Sequence, residues 1–153
     1  MPDGSIKGLN GLIGKLDILK TGIDAETKKA LYLSGLKVEE KAKKAIMNGP
    51  KTGRVYRKGK KGRILHQASA PGEAPANDTG RLVNSIHTEA KGDGSVVTVS
   101  AGSGVVDYAA ALEFGTSKMA ARPFFNPALE QAKPEIEALM KRAVVNVTKK
   151  TTK

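Results

Sequence analysis

The stretch from Asp24 to Met47 constrains this chain more than any other. Ala30, Leu31, Leu33, Leu36, Val38, Ala42, Ala45 and Ile46 recur at three- and four-residue steps, the spacing of one face of an α-helix. Asp24 has the side chain of an N-cap, and Glu26 falls in the first turn, where the helix dipole favours an anion. Asn48, Gly49 and Pro50 follow. Such a run ends helices, because glycine accepts the left-handed cap conformation and proline cannot continue the hydrogen-bond ladder. The spacing predicts a long helix over 24–47, and the rest of the chain has to be read as what packs on it.

Composition limits that packing. The chain has 153 residues, enough for one domain with a modest core. Aromatics make up 4%, with no Trp, three Tyr and three Phe, so the core is expected to be Leu, Ile, Val and Ala. An apolar fraction of 39% is below the usual globular range, which predicts a thin core with extended arms, completed by partner subunits. The absence of cysteine excludes disulfides and thiolate metal sites. The opening MPDGSIKGLN lacks the basic-then-apolar order of a signal peptide. No apolar run of about 18 residues is present, so no membrane-spanning helix and a cytoplasm-like compartment are expected.

Ahead of the long helix, Ile6, Leu9, Leu12, Ile13, Leu16 and Leu19 form a second helical stripe, weakened by Gly8, Gly11 and Gly14. Gly22 reads as its end, giving an amphipathic arm over 1–22 that needs a surface to pack on. Residues 48–81 read as an extended basic segment, with Val55-Tyr56 and Ile64-Leu65 as short strands of a hairpin turning near Gly59. The loop ASAPGEAPANDTGRL (68–82) then has no apolar periodicity. A loop that long inside a small domain is usually functional or disordered, and it is read as an element reaching toward a neighbouring copy. Asn77 to Gly80 closes the excursion as a turn. A strand over 82–89, a turn at Gly92-Asp93-Gly94 and a strand over 95–101 make a hairpin. A third strand is expected from Val105, bending into a short helix before Phe114. Asn126 followed by Pro127 marks the start of a last helix to about Val147, kinked or restarted at Pro134. A frayed basic tail occupies 148–153. The fold class is α+β: a small antiparallel sheet packed by the long helix and the C-terminal helix, with 23–147 as the single domain.

The net charge of +11 attracts polyanions. Its densest site is Lys51, Arg54, Arg57, Lys58, Lys60, Lys61 and Arg63, a run without an acid and with Tyr56 interleaved. Two partners suit it: the phosphates of nucleic acid, bound without sequence preference and with steep salt dependence, or an acidic protein surface. A solvated loop is the bland alternative.

Catalytic constellations are not evident. His66 and His87 are the only histidines and show no metal-ligand spacing. Glu73 with Asp78, or Asp107 with Glu113, are the nearest to a carboxylate pair, and solvated loop acids explain them as well. Glu113, set between Leu112 and Phe114, is expected to be partly buried and paired with Arg122. No phosphate loop or nucleophile elbow is present. The chain is therefore read as a non-enzyme without cofactor or metal.

Two segments, HQASAPGEAPANDTGRLVNSI (66–86) and YAAALEFGTSKMAARPFFNPAL (108–129), read together with the long helix upstream, resemble one family of long-tailed phage proteins over most of residues 24–145. It is the tail-component family named for gene product ten of phage HK ninety-seven, similar in role to minor tail protein Z. The resemblance implies a virion protein of the neck or tail, assembled in the bacterial host cytoplasm. It would form a ring at the head–tail junction, with six copies matching tail symmetry, and would let DNA pass. Implied partners are further copies, other neck or tail proteins such as the stopper, terminator or tail tube, and DNA in the lumen. A small non-specific DNA-binding protein is the alternative. The matched residues take structural roles. Pro71, Gly72, Glu73 and Pro75 shape the loop, and Thr79, Gly80, Arg81 and Leu82 return it to the sheet. Tyr108, Leu112 and Phe114 bury against the long helix while Gly115 and Thr116 turn the chain. Arg122 and Pro123 lead into the last helix, with Phe124 as core anchor.

Overall fold

In the computed structural model, residues 9–59, 64–102 and 106–151 are described. Helix α1 spans Leu9–Asn48 and is 40 residues long, about 60 Å at 1.5 Å per residue. The break expected at Gly22 does not occur, and Asp24 is an interior helical residue, not a cap. A glycine costs a helix only about 1 kcal/mol, and here the helix gains a packing surface in return. A Cβ at Gly22 would sit 3.4 Å from Val147 Cγ1, on the opposing helix. That helix, α4, spans Phe125–Thr151 and continues through Pro134 without a restart. It also takes in residues 148–151 of the expected frayed tail, where the Thr148 hydroxyl donates to the Val145 carbonyl.

The two long helices run antiparallel. Glu26 accepts from Asn146 near one end, and Glu135 lies 2.7 Å from Lys41 and 3.7 Å from Lys37 further along. Ala30, Ser34, Val38, Ala42 and Ile46 are buried at four-residue steps on α1, and Ala128, Ala132, Ala143 and Val147 are buried on α4. Small side chains let two backbones approach closely. The one hydroxyl in the seam, Ser34, is satisfied by the Ala30 carbonyl at 2.7 Å.

The remaining elements wrap the C-terminal half of α1. Strands β1 (Val55–Lys58) and β2 (Ile64–Gln67) form the expected hairpin pair, each longer than the two residues read from the sequence, with Tyr56 opposite His66. Residues 81–86 do not begin a strand. Arg81–Ser85 forms a helical turn, α2, so that Leu82, Val83 and Ile86 all face inward. Strand β3 starts only at His87 (His87–Lys91) and pairs with β4 (Val96–Ser100) across the expected turn. The sheet is thus two separate two-stranded ribbons. No third strand forms among the described residues of 105–114; Ala109–Phe114 is a short helix, α3.

The β3–β4 ribbon lies directly on α1 at Gly35. A Cβ there would come within 2.7 Å of both Thr88 Cγ2 and Val97 Cγ1, so the absent side chain is what allows contact. Glu39 of α1 accepts from the Thr88 hydroxyl at 2.7 Å and pairs with Lys43 at 2.6 Å. Partial burial works against ionisation of Glu39, but these two partners outweigh it and lower its pKa. Lys28 reaches Asp93 in the ribbon's turn at 2.7 Å and, with Ser95, holds that carboxyl well below the usual carboxylate range.

The core gathers Ala42, Ile46, Leu82, Val83, Ile86, Val106, Ala109, Phe124 and Ala128. Phe124 is its largest member at 1% exposure, the anchor role expected for it. Leu112 packs against this cluster, but Tyr108 and Phe114 do not; Phe114 is 82% exposed. A six-residue helix with Ala109 facing inward has no room to turn both aromatic rings to the core.

The loop over 68–80 is the largest departure from expectation. It does not reach outward. Gly53 N–H donates to Ala68 O and Ala68 N–H to Arg54 O, extending the β1–β2 ladder. Gly72 N–H donates to Ala121 O. The Glu73 carboxylate accepts from the Thr52 hydroxyl, from Thr52 N–H at 3.1 Å and from Ala70 N–H at 2.8 Å. These bonds lower its pKa below the ordinary 4.5. Ser69 and Pro75 are buried. One carboxylate and a few backbone bonds replace the apolar periodicity whose absence suggested a projecting arm.

Candidate functional site

Helix α3 separates two depressions, and the sequence runs 66–86 and 108–129 meet at the first. On one side Tyr108 and Leu112, one helical turn apart, face a cleft of about 340 Å³. Pro75, Thr79, Gly80, Arg81 and Leu82 line its other wall, and Tyr56 and His66 enter from the hairpin. Gly80 makes the wall possible. At φ 76° it takes the left-handed conformation, its N–H donates to Asn77 Oδ1 at 3.1 Å, and it hands the chain to α2. His66 Nδ1 lies 3.4 Å from Asp78 Oδ1. Arg122 also lines the cleft, and its Nε donates to the Ser69 carbonyl at 3.3 Å.

Glu113 therefore does not pair with Arg122. Its carboxylate accepts from the backbone N–H groups of Phe124, Phe125 and Asn126 at 2.8, 2.9 and 2.9 Å. The first N–H groups of a helix lack intrahelical partners and carry the positive end of its dipole. Glu113 thus caps α4 from a different helix, and Asn126, expected to be the cap, is one of the capped residues. Gly115, at φ 75°, then turns the chain away; a Cβ there would meet Ala121 N and Met119 O at 2.9 Å. Thr116 and Met119 close the tight return as a β-bridge, and Pro123 leads into Phe124, whose ring lies 4.8 Å from that of Phe125.

On the other side of α3 is a mainly apolar groove of about 530 Å³, lined by Val38, Ala101, Ala110, Phe114, Phe125 and Leu129 among others. Phe114 and Leu129 stand exposed on it. Sequence reasoning treated Phe114 as core and did not find this groove. The signal was there in outline, since Ala109, Ala110 and Ala111 leave α3 little side-chain bulk with which to fill it.

The basic run lies on the hairpin next to the cleft. Lys51, Arg54 and Arg57 are exposed, and Lys58 ends β1. Lys60, Lys61 and Arg63 lie outside the described residues. The Arg54 guanidinium sits 5.8 Å from the Tyr56 ring centroid, a cation–π distance. Lys51, Arg54 and Arg57 have no acidic partner among the described residues.

Of the candidate acids, Glu73 and Glu113 are both committed to backbone N–H groups, and neither forms the carboxylate pair weighed from the sequence. His87 links strands: its Nε2 lies 3.2 Å from Ser100 Oγ and its Nδ1 3.1 Å from the Ser85 carbonyl. Since a carbonyl only accepts, the neutral ring carries its proton on Nδ1 and the Ser100 hydroxyl donates to Nε2. Among the described residues no group of three or more His, Asp or Glu side chains could hold a metal ion, and no helix is long and apolar enough to cross a membrane. Comparison with family models, with curated proteins and with solved structures finds no match.

Proposed function

We propose that this chain is a structural protein of a phage neck or tail. Copies assemble into a ring at the head–tail junction, six to match tail symmetry, and leave a lumen through which DNA passes. The role is non-enzymatic; assembly is in the host cytoplasm, and other neck or tail proteins bind the ring's faces.

One observation carries the reading. Apolar side chains stand uncovered in named places: on a 40-residue helix longer than its partner, at Ile13, Leu16 and Ile18, and beside α3, at Leu129 and Phe114. Apolar surface presented at separate places marks association sites, and a contact repeated around a rotation axis closes into a ring. The folded-back loop does not weaken this reading. It moves the role of reaching element from residues 68–80 to the N-terminal end of α1.

A second reading is favoured by the hairpin, where Lys51, Arg54 and Arg57 are exposed and the Arg54 guanidinium lies over the Tyr56 ring. This is a surface for DNA phosphates with a ring for stacking, either in the lumen or as the whole function. Salt separates the two. Phosphate binding weakens steeply as salt rises. Association of copies that each carry +11 strengthens, because screening removes their mutual repulsion. Mass photometry and negative-stain microscopy across a salt series should show rings that persist or grow at high salt. A chain that stays monomeric at every salt concentration and never incorporates into particles rejects the ring.

A further inference from the structure

We infer that the cleft beside Tyr108 seats one unstacked nucleotide of single-stranded nucleic acid, its base on the tyrosine rings and its phosphate on Arg81 and Arg122. This inference rests on the nucleic-acid reading of the hairpin and names the form of nucleic acid bound.

Charge points to the phosphate. Two guanidinium groups line one cleft, from Arg81 at the start of α2 and from Arg122 just ahead of α4. Asp78 is the one acid among the described lining residues, and it lies 3.4 Å from His66 Nδ1. No acidic side chain pairs with either arginine among the described residues. Arg122 is only partly exposed, and its bond to the Ser69 carbonyl uses Nε–H, one of the five guanidinium donors. Ser69 is buried, so that bond fixes the group to the body of the protein. The terminal N–H groups keep the planar fork that matches a phosphate. Like charges gathered in a concave site with low-dielectric walls focus a field that draws in an anion.

The rings decide which anion. Tyr56 and Tyr108 line the same cleft, one from the hairpin and one from the start of α3, and they are 47% and 44% exposed. A carboxylate side chain has no flat body to lay on them. A nucleotide joins a flat base to a phosphate, and stacking of a base on an aromatic ring tolerates any sequence. Ile46 and Leu82, both buried, give the cleft an apolar floor.

Size and approach favour a single strand. The volume of about 340 Å³ lies at the lower end of the range for small-ligand pockets, about 300–1,000 Å³, which is room for one nucleotide. A duplex keeps its bases stacked inside and would have to flip one out to use the site. Arg54 marks the way in, with its guanidinium 5.8 Å from the Tyr56 ring centroid. The next phosphate along the strand would meet it there. Alternation along β1 turns Arg57, one residue after Tyr56, to the opposite face of the hairpin.

The test titrates the full-length protein into fluorescein-labelled oligo(dT), and into a duplex of equal length, at low salt with anisotropy as the readout. Oligo(dT) is expected to bind more tightly. Tyr108→Ala should weaken that binding by about tenfold or more and leave duplex binding unchanged, whereas Tyr108→Phe keeps the ring and the affinity. Arg81→Ala, at an exposed position, should flatten the dependence of log K on log salt by about 0.7 for oligo(dT). Arg57→Ala removes the same charge outside the cleft and should weaken both ligands alike. Melting temperatures of these variants should match that of the wild type. Equal affinity for both forms, with no effect of Tyr108→Ala, would overturn the inference and leave hairpin binding to DNA intact. Poly-glutamate bound in a Tyr108-dependent way, with oligo(dT) unbound, assigns the cleft to an acidic protein and rejects the inference. A chain that binds neither nucleic acid at low salt removes the inference and the hairpin reading together.

Discussion

The two ends of α1 meet different surroundings. Toward its C-terminus, Ala30, Ser34, Val38, Ala42 and Ile46 are buried against α4 and the core. Toward its N-terminus, Ile13 and Leu16 stand in solvent. The glycines record the difference. At Gly35 an added Cβ would collide with Thr88 and Val97, while at Gly14 it would meet nothing within 4 Å. Helical periodicity therefore says that a face is apolar and not what covers it. In this molecule the C-terminal half of α1 builds the fold, while apolar side chains of its N-terminal end stay exposed.

The sharpest way to break the comparison is to remove the core anchor. Phe124→Ala should destabilise the fold by about 3–5 kcal/mol, seen as a large drop in the denaturant midpoint. The matching change at the free end, Ile13→Ala with Leu16→Ala, should leave stability within about 0.5 kcal/mol and abolish oligomers in mass photometry. A large stability loss from that pair would mean the free end is packed within its own molecule. Glu113→Ala comes next. It leaves three N–H groups at the start of α4 without their charged acceptor, and a loss of about 2 kcal/mol is expected in chemical denaturation. Gly35→Leu should cost about 1–3 kcal/mol, because the β-branched Thr88 and Val97 have little rotamer freedom with which to yield. Gly14→Ala, at the open end, should instead stabilise α1 by about 1 kcal/mol, read as an increase in thermal midpoint. If both glycine substitutions have the same sign, the contrast between the ends is wrong.

The loop provides a pH test of smaller size. Glu73 has a lowered pKa in the fold. Its contribution is thus fully present above the ordinary value of 4.5 and is lost as pH falls below that through the folded value. Hydrogen exchange at the Ala70 and Thr52 amides should accelerate over that acidic window in the wild type. In Glu73→Gln it should be fast already at neutral pH. Equal protection in both proteins would remove Glu73 as the loop's fastener.

Much of the fold was legible where local signals act alone. The end of α1 at Asn48–Pro50, the hairpin strands at 55–58 and 64–67, the turn at Gly92–Gly94 and the start of α4 within a residue or two all follow from caps, turns and alternation. The misreadings lie where a distant partner decides. Gly22 continues a helix because Val147 packs beside it. Leu82, Val83 and Ile86 form a helical turn too short for periodicity to reveal. The partners of Glu73 and Glu113 are backbone amides, which every residue but proline has, so no pattern of side-chain types could identify them. Phe114 was assigned to the core because aromatic rings usually are; its exposure follows from the direction in which a two-turn helix happens to face. The cleft joining 75–82 to 108–122 was anticipated only as two runs that belong together, while the apolar groove was not anticipated at all.

Consecutive residues at the end of α3 face opposite ways: the carboxylate of Glu113 is held inward on three amides, and the ring of Phe114 is directed outward. The backbone under that ring is consequently fixed before any encounter, by the same bonds that begin the longest helix after α1. An incoming surface meets a feature already preorganised for it and loses little conformational entropy in ordering it. The molecule's most water-exposed aromatic is thereby mounted on one of its most firmly anchored points.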